Sequence, residues 1–168
     1  MPINENVVPT AEAVEAVEPV EITFIDDDES LYRRASKGCV VTDDGVERIS
    51  STAFNDVFFR PSVDRASMRN SPEETKKDPS DGIIEIAAHE IRAIKGVVIN
   101  GAEPNGGNYV VDVQHRPEPE NKEKGMPANP AHSQVEAAPH PKADARFKKI
   151  KEALALIANR RGWLIRPQ

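Results

Sequence analysis

Four histidines, one cysteine and a cationic C-terminal run are the residues of this 168-residue chain whose chemistry bears most on function. Cys39 lies in a Gly-Cys-Val-Val run, a setting that suits a buried structural thiol rather than a nucleophile. A lone cysteine also leaves no internal disulfide and no multi-cysteine zinc site. His89, His115, His132 and His140 contain no pair at the i, i+4 spacing of a helical metal site, so no metal is expected. His115 and His132 flank a proline-rich segment and could approach each other; each is expected to order a loop. In Asn129-Pro130-Ala131-His132 a stiff turn fixes the imidazole, which suits either a general base or a hydrogen-bonding plug. The G-x-S-x-G elbow, the P-loop and the dinucleotide fingerprint are absent. Gly101 to Gly107 lacks the lysine and the following helix that a phosphate cradle needs, so no cofactor is expected.

Charge is distributed unevenly. Met1 to Ser30 holds nine acidic residues and no basic one, whereas Lys142 to Gln168 holds eight basic residues and two acidic ones. The whole chain carries a formal charge of −6. On a helix, Lys142, Arg146, Lys148, Lys149, Lys151, Arg160 and Arg161 form a cationic face. Such a face can meet phosphates non-specifically, with steep salt dependence, or dock on an acidic protein. A protein partner is the leading expectation, with nucleic acid through the C-terminal helix as the alternative. No apolar run approaches the roughly 20 residues that span a bilayer, so no membrane role is expected. The N-terminus has neither a basic n-region nor an apolar h-region, which points to the cytoplasm with Cys39 reduced.

A further set is Arg33, then Ser50-Ser51-Thr52, then Glu85 or Glu90. This order resembles that of one large class of ADP-ribosyltransferases, with an arginine on a first strand, a Ser-Thr-Ser-like strand and a glutamate. The resemblance implies an NAD phosphate on Arg33, a nicotinamide pocket supported by Ser51, and ribose hydroxyls oriented by Glu85 or Glu90. The chain departs from that pattern in its short arginine-to-serine gap and in lacking Glu-x-Glu. On the residues alone, Arg33 is a solvated strand residue and Ser50 to Thr52 a polar turn into Phe54.

The elements that must position these groups can be read from periodicity and breakers. Residues 1–20 carry an Ala/Glu/Val tract with flanking prolines and read as a disordered acidic tail. Glu21 to Ile25 reads as a strand with Ile22 and Phe24 on one face. Leu31 to Arg34 and Cys39 to Thr42 read as strands, and Asp43-Asp44-Gly45 as a turn whose glycine takes positive φ. Ser50 to Phe54 and Val57 to Phe59 make the most apolar stretch of the first half. Ser71-Pro72-Glu73-Glu74 has the form of a capping box opening a short helix that Pro79 stops. Ile83 to Ala88 is the best strand candidate, and His89 to Ile94 either extends it or makes one helical turn. Val97 to Ile99 and Tyr109 to Val113 read as a hairpin. Six prolines between 116 and 141 exclude a central strand there and leave Ser133 to Val135 at most an edge pairing. In the tail, Phe147, Ile150, Leu154 and Ile157 recur at steps of 3, 4 and 3, one face of a helix that Gly162 ends.

The expected architecture is α+β: a small mixed or antiparallel sheet over residues 21–163, packed by the C-terminal amphipathic helix, with 164–168 as a tail. The strings Leu31-Tyr32-Arg33-Arg34, Ser50-Ser51-Thr52-Ala53-Phe54, Ser62-Val63-Asp64-Arg65-Ala66 and Asn129-Pro130-Ala131-His132 occur in an order that resembles a group of short, uncharacterised bacterial proteins. That resemblance implies a bacterial origin and a compact domain built on these strings, and no activity. The function expected from the sequence is a non-catalytic binding or adaptor subunit of a bacterial multi-component system.

Overall fold

The computed structural model describes residues 20–95, 109–142 and 144–168. Six strands form one sheet in the order β6-β7-β4-β1-β5-β8, and every pairing in it is antiparallel. They are β1 (Ser30–Ala35), β4 (Ser62–Arg65), β5 (Gly82–Ala87), β6 (Val110–His115), β7 (His132–Ala138) and β8 (Trp163–Ile165). A separate hairpin joins β2 (Val40–Asp43) to β3 (Val46–Ile49). Its two-residue turn has Asp44 at φ 49° and Gly45 at φ 76°, the left-handed pair that a twisted hairpin favours.

One face of the sheet is mostly apolar and the other mostly polar, because successive strand residues point to opposite sides. Leu31, Val63, Ile84, Ile86, Val111, Val113 and Val135 belong to the buried core. Helix α2 (Asp144–Arg161) closes that core with Phe147, Ile150, Leu154 and Ile157, each no more than 4% exposed. The 3-4-3 spacing therefore marks the buried stripe. Gly162 follows at φ 76°, and its N–H bonds the Ala158 carbonyl at 2.9 Å, as a helix-ending glycine should. Asn159 ties α2 to the hairpin: its amide accepts from Ile49 N at 2.8 Å and donates to Ile49 O at 2.9 Å. A short helix α1 (Ala88–Arg92) follows β5, as the second reading of His89 to Ile94 anticipated. Among the described residues, no helix is long and apolar enough to cross a membrane.

Several local expectations need correction. Glu21 to Ile25 forms no strand; Ile25 is buried, whereas Ile22 and Phe24 are exposed, Phe24 beneath the Arg92 guanidinium at 5.1 Å. Ser51–Phe54 is a 3-10 turn, in line with the polar turn read from the residues and not the strand that the transferase resemblance implied, and it is started by Ser50 Oγ accepting the Thr52 N–H at 3.2 Å. Pro72–Thr75 is likewise one 3-10 turn, and Ser71 makes no side-chain cap. Glu74 turns back instead to Asn70, accepting from its backbone N at 3.1 Å and its Nδ2 at 2.9 Å. Val57 and Phe58, expected in an apolar element, lie on the surface. The acidic head up to residue 19 and the Val97–Ile99 strand fall outside the described residues.

The largest correction concerns β7. It is an interior strand, paired with β6 on one side and β4 on the other, although it lies within the proline-rich segment. Pro130 and Pro139 stand on either side of it, so no ladder N–H is lost from the strand itself. The C-terminal residues are also structural. β8 pairs with β5, and Gln168 N bonds Ser80 O at 2.9 Å, so 164–168 belongs to the sheet edge. Gly82 makes this docking possible: a Cβ there would lie 2.5 Å from Pro167 Cδ and 2.8 Å from Ile165 O. Gly82→Ala must push β8 away, and it should cost roughly 1–3 kcal/mol. Denaturant unfolding together with amide exchange at Ile165 checks this; unchanged stability and protection would show that the edge gives way without cost.

Candidate functional site

The polar face of the sheet carries a row of side chains set by register. Glu85 on β5 pairs with Tyr32 on β1, Tyr32 with Asp64 on β4, and Asp64 with His132 on β7. Residues paired across strands share a face, so Tyr32, Asp64 and His132 sit side by side. Two loop segments, around residues 69–77 and 118–129, flank this row and with it bound an open cavity of about 580 Å³. That volume lies in the range of small-molecule sites, roughly 300–1,000 Å³.

Strings far apart in sequence meet on both faces of β1 and β4, Arg33 on the apolar one and Asp64 on the polar one. Arg33 donates from Nε to Ala53 O at 2.9 Å, from Nη1 to Ser62 O at 2.7 Å and from Nη2 to Asn55 O at 3.1 Å. Asp64 accepts from Arg69 Nη2 at 2.7 Å and from Asn129 Nδ2 at 3.0 Å, and Arg69 Nη2 also reaches Asn129 Oδ1 at 2.8 Å. This triangle neutralises a buried carboxylate and locks the Asn129-Pro130-Ala131-His132 turn against β4. His115 supports the turn from behind: its Nδ1 accepts from Thr23 N at 3.0 Å, so Nε2 carries the hydrogen donated to Pro130 O at 2.7 Å.

His132 is held in one orientation. Its Nδ1 faces Arg116 O at 2.6 Å and therefore carries a hydrogen, which leaves Nε2 as the acceptor of the neutral ring. Ser62 Oγ lies 3.1 Å from Nε2 and Glu118 Oε1 lies 3.5 Å from it. Ser62 Oγ is placed to donate to Nε2. The pair can thus act as a donor-acceptor couple for a ligand, or draw the proton from Ser62.

The opposite wall of the cavity carries unspent donors. Thr75 is 8% exposed, and its hydroxyl is buried without a hydrogen-bond partner. Among the described residues Arg34 meets only Asp81, at 3.8 Å, and it stays 41% exposed. Lys77 forms no ion pair with a described residue. Burial, with the charges of Glu85 and Glu73 nearby, pushes the Tyr32 phenol up, so it remains a neutral donor at physiological pH. Met126, Pro127 and Ala128 supply an apolar wall.

The residues singled out from the sequence are dispersed. Of Arg33, Ser51, Glu85 and His132, only His132 presents its functional atoms to the cavity in this network. The Arg33 guanidinium is spent on three carbonyls, and burial, with Arg34 beside it, lowers its pKa to about 10. Ser51 opens the 3-10 turn, and Glu85 accepts from Ser30 Oγ at 2.6 Å on the face opposite Arg33. The cationic set is divided too. Lys148 and Lys149 both reach Glu152, at 3.9 and 3.3 Å, while Arg161 reaches Glu90 at 3.1 Å. Lys151 donates to Asn55 Oδ1 at 2.6 Å, and Lys142 and Arg160 are exposed. Arg146 is half-buried in α2. Sequence reasoning passed over Ser62, Asp64, Arg69 and Thr75; the available signal was the alternation Ser62-x-Asp64, which puts two polar side chains on one strand face. Among the described residues no group of three or more histidine, cysteine or acidic side chains could hold a metal. No protein-family model, no curated protein and no solved structure matches this chain.

Proposed function

We propose that the chain is a non-catalytic binding subunit whose cavity over the polar sheet face takes a small organic anion. The observation that carries this reading is Arg34, which lines the cavity 41% exposed and meets Asp81 only at 3.8 Å, with Thr75, whose buried hydroxyl has no hydrogen-bond partner among the described residues, in the same lining. Leaving a hydroxyl buried without a partner costs about 1–3 kcal/mol, a cost that a ligand oxygen would remove. Arg34, Lys77 and the Tyr32 phenol add donors around the same space, which suits a carboxylate or phosphoryl group. The Met126–Pro127 wall suits an apolar body, and the Ser62–His132 couple can read a polar group at the far end.

Thr75→Val tests the reading, since it keeps the shape and removes the hydroxyl. The unliganded protein should become more stable by about 1 kcal/mol. Calorimetric titration with inorganic phosphate, citrate and benzoate should meanwhile show weaker binding to Thr75→Val, and about tenfold weaker binding to Arg34→Gln. A destabilised Thr75→Val with unchanged anion binding would overturn the assignment.

A further inference from the structure

We propose that the turn from Asn55 to Arg60 is a protein-docking epitope for an acidic partner segment that offers apolar side chains between its carboxylates. The inference stands apart from the cavity reading and rests on a different part of the molecule. Val57 is 84% exposed and Phe58 72%, the most exposed large apolar pair in sequence among the described residues. Their turn is nevertheless firmly built. Asp56 Oδ1 accepts from Phe58 N at 2.9 Å and from Arg60 N at 3.0 Å, and Phe59 N bonds Asp56 O at 3.2 Å. Phe59 sits at φ 58°, a left-handed conformation that bulky residues rarely adopt. Its ring is anchored on Phe147 at 5.2 Å and beside His140 at 6.3 Å. Arg33 and Lys151 hold the foot of the turn through Asn55, at 3.1 and 2.6 Å. The turn therefore spends its hydrogen bonds and a strained residue on presenting two apolar side chains to solvent. A rigid apolar anchor is what a binding hot spot requires, because little ordering entropy remains to be lost.

The charge around the turn selects the partner. A hollow of about 520 Å³ beside Phe58 is edged by Arg60 and Lys142, neither of which forms an ion pair with a described residue. Lys151 lies at the foot of the same turn. This local positive charge stands on a chain whose formal net charge is −6. Carboxylates flanking an apolar segment complement it. A nucleic acid would need a continuous row of free cations, whereas Lys148 and Lys149 share Glu152 and Arg161 is held by Glu90.

The full chain can be titrated by fluorescence anisotropy against two labelled pools of short peptides, with leucine and phenylalanine interleaved by aspartate and glutamate in one and by lysine and arginine in the other. Vesicles of phosphatidylcholine with phosphatidylserine make a third probe. The acidic pool should bind, weaken with salt, and lose about tenfold in affinity when Val57→Ser and Phe58→Ser are combined. Asp56→Ala leaves both apolar side chains in place and frees the turn, so it should weaken binding as well. Both side chains are solvent-exposed, so the double variant should melt as the parent does. Equal affinity of parent and double variant, preference for the cationic pool, or binding to the vesicles in place of the peptides would each overturn the proposal.

Discussion

Ending the chain at Pro141 should abolish the cooperative unfolding transition. The cut removes α2 and β8 together, uncovering β5 with Ile84 and the 51–54 turn with Phe54, both side chains fully buried in the intact fold. Phe147, Ile150, Leu154 and Ile157 each contribute on the order of 1.5–3 kcal/mol by burial. Four such side chains rival the whole net stability of an ordinary domain, roughly 5–15 kcal/mol. A point variant grades the same claim: Leu154→Ala, at a position with no exposure, should cost about 2–5 kcal/mol through lost burial and a residual cavity. Urea unfolding followed by circular dichroism measures both. A truncated chain with an unchanged, sharp transition would show that the sheet holds its core without α2.

Glu29→Ala is the second large effect, with an expected loss of about 3–5 kcal/mol, because it strands the buried Arg65 guanidinium. Both side chains of this pair are 9% exposed. Arg65 donates from Nε to Glu29 Oε1 at 2.8 Å and from Nη2 to Oε2 at 2.7 Å, and Ser67 Oγ adds a third bond at 2.5 Å. Burial alone would raise the Glu29 pKa, but these hydrogen bonds and the Arg65 charge together hold it below its ordinary value of 4.5. A carboxylate whose pKa is depressed by folding stabilises the fold fully above its unfolded pKa. That stabilisation is lost as pH falls from about 4.5 through the lower folded value. The stability gap between the parent and Glu29→Gln should therefore be widest near neutral pH and shrink in acid. A gap that holds constant with pH would show that the carboxylate's charge contributes nothing.

How far the sequence reveals this molecule depends on how local each determinant is. The α2 stripe is legible because helical spacing is set within one element, and the Asp44-Gly45 turn because its φ values are dictated by two residues. β7 is hidden by the very prolines that bound it: density of proline over 116–141 obscures the proline-free stretch between Pro130 and Pro139. β8 spans three residues, too few for any periodicity. The site is harder still. Ser62 and His132 are 70 residues apart and meet only because β4 and β7 pair in one register. His132 stands out in sequence through its Asn-Pro turn, whereas Thr75 gains meaning only from being buried with nothing to bond. The cationic tail misleads in the opposite direction, since its residues share one helix yet Lys148, Lys149 and Arg161 are drawn to Glu152 and Glu90.

The central claim, that the cavity over the polar face binds a small organic anion, is tested most directly by amide NMR during titration with inorganic phosphate, citrate and benzoate. Saturable shifts are expected at Arg34, Thr75, Lys77 and His132 for at least one of these anions, with their loss in Arg34→Gln. Shifts that never saturate, that survive Arg34→Gln, or that gather instead on Lys148 and Lys149 of α2 would contradict it.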